Sequence, residues 1–428
     1  MAISIESSFF IIGSIILIGY VGELLSKRFN IPSAILLLLI GFLLQLSGYV
    51  DAASLIGIRE LFGTLALLIL LFDGGLSLNL YTVIYKSGRV LLAGVLITFV
   101  SIVACAVFFN SILGIDPLIG AIFGALAGGI GSATTISIVK GLSLPKDIAN
   151  FLTLESSLTD VFSIILTIVL TQALISGSLD YQFLGREVVS SFSVGLLLGL
   201  AFGILAMLLL SKIAKGYNYV VTLAMIFIIY SMTELFGGSG AIAALVFGIV
   251  FGNETSIRRI LRMENSERKF TFDEIQSEIS FFVRTFFLVF LGAVVTIGGV
   301  SNFIFAVGLM VLLYVIRYVC IAVSTSGSEL YKYREVLSAM NPRGLATAVL
   351  ATYPIIAVED ILMQNPDARL SAVQAQLGPL PEITFYIIIL SVVLTSILVP
   401  VAARGLPATS GEEKGGGEKN RKNYKIRD

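Results

Sequence analysis

Histidine is absent from this 428-residue chain, which removes the commonest metal ligand and the usual proton acceptor near neutral pH. Any proton chemistry therefore falls to carboxylates. Charge is scarce as well. Asp, Glu, Lys and Arg make up 13% of residues, roughly half the share found in a soluble domain. Hydrophobic residues reach 57% and mean hydropathy is +0.97, so most of the chain is expected to be dissolved in lipid. The net charge is zero, which leaves no electrostatic case for nucleic acid as a partner. The two cysteines, Cys105 and Cys320, each sit inside an apolar run and read as inert core residues, not a disulfide or metal site. No metal-ligand cluster and no G-x-x-x-x-G-K-[ST] nucleotide loop occurs in the sequence, so an enzyme is not expected and no cofactor is called for. The first apolar run, residues 9–25, lacks a basic n-region and an A-x-A site. It is expected to be a retained helix and not a signal peptide.

What is present is a series of long apolar runs. A helix needs roughly 20 such residues to cross a bilayer. Thirteen spans are expected: 8–26, 31–49, 60–77, 89–111, 117–139, 148–176, 189–211, 217–234, 237–252, 276–297, 302–324, 335–356 and 382–403. With these spans, 22 of the 28 Lys and Arg residues fall on one side, 3 on the other and 3 within spans. Basic loops stay in the cytoplasm, which puts the N-terminus outside and the C-terminus inside in a multi-pass membrane protein. The tail 405–428 is rich in Gly, Lys, Glu and Asn and is expected to be disordered. Loops 253–274 and 357–381 are candidates for interfacial helices.

Ionisable groups inside lipid-spanning helices are costly and default to functional candidates. Here they are Asp73, Glu155, Asp160, Glu234, Arg284, Arg317 and Arg343. Glu23 and Glu234 lie near span ends and read as structural. Glu155 and Asp160 share the sixth span, in L-E-S-S-L-T-D. Five residues apart on a helix, they point to different faces. Ser156 shares a face with Asp160, and Thr159 with Glu155. Glu155 reads as one half of a buried ion pair, with Arg317 or Arg343 as its partner. Asp160, with a hydroxyl beside it, reads as the functional carboxylate.

Two spans are poor continuous helices. Span five carries four glycines and four hydroxyl residues between Gly124 and Ser137, and span twelve carries N-P-R-G at Asn341–Gly344. Gly and Pro both weaken helix interiors, and irregular backbone at membrane depth survives only inside protein or beside a cavity. The two interrupted spans are seven apart and run in opposite directions. That is the pattern of an inverted-repeat transporter with its site at the midplane.

At this point the motifs resemble those of prokaryotic sodium/proton antiporters of the NhaP type and their eukaryotic relatives. L-E-S-S-L-T-D resembles the family's E-S-x-x-N-D signature. F-D-G-G-L at Phe72–Leu76, G-S-A-T-T at Gly131–Thr135 and N-P-R-G at Asn341–Gly344 resemble its other marks. The resemblance covers essentially all thirteen spans. It implies a homodimer with scaffold helices at 1–87 and 179–298, and a moving core at 88–178 and 299–404, followed by the tail. It also implies that spans five and twelve cross at the ion site. Asp160 would bind cation and proton alternately, with sodium held by Asp160, Ser156, Asp73 and Thr134. Thr135, as the alternative span-five hydroxyl, and Thr159 would belong to the same ion-binding set, and Asp73 would occupy a position where the family often has Glu. Glu155 would pair with a core arginine, Arg317 before Arg343. Two departures stand out: Thr159 replaces the signature Asn, and Thr135 replaces an Asp common in the broken stretch. A single proton-carrying carboxylate then remains in the signature.

The activity expected on this reading is one-for-one exchange of Na+ (or Li+) for H+ by alternating access. Cation and proton compete for one carboxylate, and only the occupied, neutral form crosses the low-dielectric midplane readily. Potassium/proton exchange on the same scaffold is the nearest alternative, and a cation channel is a more distant one.

Overall fold

The computed structural model describes residues 5–29, 33–47, 52–78, 88–141, 144–177, 181–210, 218–260, 273–295, 298–364 and 366–404. Among the described residues the regular structure is helical, with no strand. The helices, in order, are α1 Ile5–Phe29, α2 Ser33–Leu46, α3 Ala52–Ser77, α4 Gly88–Leu113, α5 Pro117–Gly128, α6 Ser132–Gly141 and α7 Lys146–Ser176. Then come α8 Tyr181–Leu210, α9 Asn218–Leu235, α10 Gly240–Gly252, α11 Glu254–Ile260, α12 Asp273–Val294 and α13 Val300–Thr325. A 3-10 turn at Glu329–Tyr333 leads into α14 Arg334–Ala339, α15 Leu345–Gln364, α16 Ala368–Leu377 and α17 Leu380–Arg404.

Each expected span overlaps one of these helices, and spans five and twelve each fall on a pair. By length and composition, six helical stretches among the described residues are suited to crossing a membrane: Gly88–Leu113, Lys146–Ser176, Val189–Leu209, Val300–Thr325, Leu345–Met363 and Ala368–Arg404. Loop 357–381 holds α16 together with the end of α15, and α11 occupies the start of segment 253–274. The remainder of that segment, 261–272, and the tail 405–428 lie outside the described residues.

Local chemistry sets the helix ends that matter. Helix α5 starts where the Asp116 carboxylate accepts a bond from the Leu118 amide at 2.8 Å, with Pro117 in the first turn. There proline's missing N–H costs nothing. The helix stops at Gly129, whose backbone is extended. In span twelve, Pro342 lacks an amide hydrogen and biases Asn341 away from helix, so α14 ends at Ala339 and the chain turns helical again only at Leu345. Close packing holds the broken span in place: a Cβ on Gly124 would lie 2.4 Å from the Ser101 carbonyl oxygen. Glycine is what lets α5 touch the backbone of α4. Beside the breaks, Ile97 of α4, Phe151 and Leu152 of α7, Ile316 of α13 and Leu337 of α14 form one buried apolar cluster.

Candidate functional site

The two breaks cross. The Gly131 amide donates to the Pro342 carbonyl at 2.8 Å. A Cβ on Gly131 would come within 3.0 Å of the Gly344 nitrogen, so any larger residue would push the two segments apart. Helix α7 lies against this crossing through its middle turns. Interrupting two helices exposes unpaired amides at one kind of end and unpaired carbonyls at the other.

Each end meets a complementary charge. At the start of α6, the Ser132 amide donates to Asp160 Oδ2 at 3.2 Å. A helix N-terminus carries partial positive charge and suits an anion. At the end of α5, the Gly129 carbonyl accepts from Arg343 Nη1, which also reaches Asn341 Oδ1 at 2.9 Å. At the end of α14, the Leu337 carbonyl accepts from Arg317 Nε at 3.1 Å and from its Nη2 at 2.9 Å. Arg317 also holds Glu155 in a two-pronged pair, at 2.6 and 3.0 Å, with both side chains fully buried. Such fork-to-carboxylate geometry satisfies both charges at once.

Asp160 is set apart from its neighbours by access. Glu155, Ser156 and Thr159 are buried, whereas Asp160 is only partly so. Thr159 Oγ1 donates to the Glu155 carbonyl at 3.0 Å and accepts from the Ile130 amide at 3.3 Å, which seats α7 on the break of span five. Thr134 is buried at the crossing, with its hydroxyl 3.5 Å from where a Gly344 Cβ would sit. The buried Thr135 hydroxyl has no hydrogen-bond partner among the described residues. Ser156 donates to the Thr153 carbonyl of its own helix at 3.0 Å. Asp73, partly buried on α3, accepts from Ser280 of α12. The crossing thus gathers Asp160, Thr159, Thr134 and Arg343, while Asp73 is bonded across to another helix.

Arg343 does not pair with Glu155 in this arrangement. It serves backbone and amide oxygens at the break, and its own amide donates to Ser391 of α17 at 2.9 Å. Asn341 is tied to the same helix through Thr395 at 3.3 Å. Residue types alone do not point to the Ser132 amide. A serine restarting a helix after G-G-I-G was the available signal, since such a position presents free N–H groups. For Ser280 there was none. Among the described residues no group of His, Cys, Asp and Glu is arranged to hold a metal ion as a resident cofactor. What the crossing offers is one accessible carboxylate at a helix N-terminus, fringed by hydroxyls and braced by two fixed guanidinium groups.

Known proteins resemble this chain in sequence and in fold. A family model described as "Sodium/hydrogen exchanger, transmembrane" matches residues 13–404. A "K(+)/H(+) antiporter NhaP2" of Shewanella sp. (strain ANA-3) is 30% identical over 264 residues, covering 58% of this chain and 44% of that protein. The chain therefore matches somewhat under half of that relative's length. A "Probable Na(+)/H(+) antiporter 2" of Methanocaldococcus jannaschii is 26% identical over 396 residues, covering 86% of this chain and 90% of the other. The solved structure of the sodium proton antiporter MjNhaP1 from the same archaeon, at pH 8, superposes with a TM-score of 0.76. It shares 19% identity and covers 92% of this chain and 98% of its own, a likeness of fold.

Proposed function

The chain belongs to the sodium/hydrogen exchanger family, and from that premise we propose that it exchanges a monovalent cation, sodium foremost, for a proton across the membrane. One observation carries the proposal: Asp160 is the carboxylate at the crossing that keeps partial exposure, with the Ser132 amide on one oxygen. A carboxylate so placed can take a proton or a dehydrated cation, and either guest displaces the other. Left bare, it would take a charge through low dielectric, and that step is penalised. Thr134, Thr135 and Ser156 are the nearby oxygens from which a cation shell would be drawn, and Asp73 would join it when released from Ser280. Glu155 and Arg317 remain locked together throughout and carry no proton.

In this reading α4–α7 and α13–α17 form a core that moves against a scaffold of α1–α3 and α8–α12, in a homodimer seated in a prokaryotic inner membrane with its N-terminus outside. Large lipid-level side chains such as Leu17, 68% exposed, and Leu197, 65% exposed, give the scaffold an apolar surface for a second copy or for lipid. Potassium is the second reading, supported by the Shewanella relative's description as a K(+)/H(+) antiporter.

The test is a pH-sensitive dye trapped in proteoliposomes, with Na+, Li+ and K+ added in turn. Sodium is expected to drive the largest alkalinisation or acidification of the lumen, in the sense opposite to its own movement. One-for-one exchange moves no net charge, so clamping the membrane potential with an ionophore is expected to leave the rate unchanged. A rate that follows the clamped potential, or a dye response to potassium alone, would overturn the corresponding part of the proposal.

A further inference from the structure

Helix α16 is a ten-residue segment between α15 and α17 that the exchange mechanism does not use. Its start is fixed by the Asp367 carboxylate, which accepts from the Arg369 and Leu370 amides at 2.7 and 3.4 Å. Leu370, Val373 and Leu377 make its buried face. Its polar side chains reach three separate elements. Arg369 donates to the Leu174 carbonyl at 3.2 Å and to the Ile175 carbonyl, the last turn of α7. Gln376 accepts from the Asp116 amide at 2.9 Å, just ahead of α5. Gln374 donates to Glu359 of α15 at 3.1 Å. These are the elements that carry Asp160 and the two breaks.

We propose that α16 is a brace that carries α5–α6, α7 and α15 as one body during transport, and that Arg369 is a positioning residue for Asp160. The proposal rests on the exchange reading above and adds to it the part that keeps the site assembled while it moves. Helix α7 runs unbroken from Lys146 to Ser176, so a change at its end is transmitted along the rod to Asp160. That end is a C-terminus, where carbonyls are unpaired and a cation is favoured. Gly177, at φ +57°, turns the chain aside, and a Cβ there would lie 1.9 Å from the Arg369 guanidinium carbon. The glycine therefore opens the seat that Arg369 fills. Gln376 fixes the beginning of α5 from the same short helix. The bond between Asp160 and the Ser132 amide needs α7 and the broken span in fixed relation, and α16 holds both.

The boundary with the scaffold is looser. Two cavities of about 320 and 410 Å³ lie on it. They are lined on one side by Gln172, Ile175 and Ile361, and on the other by Glu234 and Gly237. None of their lining residues comes from α16.

The test uses the full-length protein in proteoliposomes. Arg369→Ala is expected to raise the sodium concentration for half-maximal exchange about fivefold, with maximal rate little altered. Weaker sodium binding lets protons compete better, so the onset of exchange at fixed sodium moves to higher pH. Arg369→Lys, which keeps a cation at the helix end, is expected to reverse most of the shift. Amide hydrogen exchange at residues 130–132 and 156–160 is expected to quicken in Arg369→Ala. If that variant does not fold, Gln376→Ala severs the tie to α5 and is read in the same way. Unchanged half-saturation with unchanged amide exchange would overturn the proposal. So would a loss of maximal rate alone, which marks only a smaller folded population. Absence of exchange in the wild type would strike the exchange reading instead, because amide exchange reports on the brace without any transport.

Discussion

Asp160→Asn is expected to abolish exchange while leaving the fold intact. The amide is nearly the same shape as the carboxylate and can still accept from the Ser132 N–H that Asp160 accepts from at 3.2 Å. What it loses is charge. A unit charge about 4 Å from a cation contributes roughly 4 kcal/mol at an effective dielectric of 20. Since about 1.4 kcal/mol is tenfold in affinity, sodium binding should weaken on the order of a thousandfold. Proton carriage stops outright, because an amide does not titrate in this range. Proteoliposomes with Asp160→Asn should show no sodium-driven pH change, while the thermal unfolding midpoint in detergent stays near that of the wild type. Retained pH-dependent sodium uptake in this variant would remove Asp160 from the centre of the mechanism.

The Glu155–Arg317 pair is expected to behave in the opposite way, with its replacements costing stability first. Both side chains are fully buried, and Arg317 also spends two donors on the Leu337 carbonyl. Arg317→Ala leaves the carboxylate without its partner and the end of α14 without its cap. Breaking one side of a buried pair costs about 3–5 kcal/mol, a large part of a typical folding free energy. Replacing both partners with neutral residues, as in Glu155→Gln with Arg317→Gln, removes the stranded charge and should recover part of the loss. The check is thermal unfolding of the purified single and double variants, with sodium half-saturation measured on whatever folds. Half-saturation close to that of the wild type is expected for the folded fraction. An Arg317→Ala protein as stable as the wild type would mean the pair is not what joins α7 to α13 and α14.

How much of this was legible beforehand depends on what kind of atom was involved. The helices could be read because long apolar runs in a charge-poor chain favour membrane helices. The breaks could be read because Gly129, Gly131, Pro342 and Gly344 act on their own backbone. Asp160 stood out because charge in an apolar run is costly wherever the helices end up. The partner of Glu155 stayed open between Arg317 and Arg343. Sequence gives depth along a helix but not which distant helix stands beside it. The geometry assigns Arg317 to Glu155 and turns Arg343 to the Gly129 carbonyl. That second arrangement could not be seen from residue types, since its acceptor is backbone freed by a break. The same applies to the Ser132 amide on Asp160. Asp73 shows the converse: its place in F-D-G-G-L suggested an ion ligand, and in this structure it is bonded to Ser280.

Calorimetric titration of sodium into the purified protein tests the central claim most directly, run in two buffers of unlike ionisation heat. If cation and proton exclude each other on one side chain, sodium binding is accompanied by release of about one proton where that group is protonated, and the release vanishes at high pH. Sodium that binds in the acidic range with no proton released would contradict it.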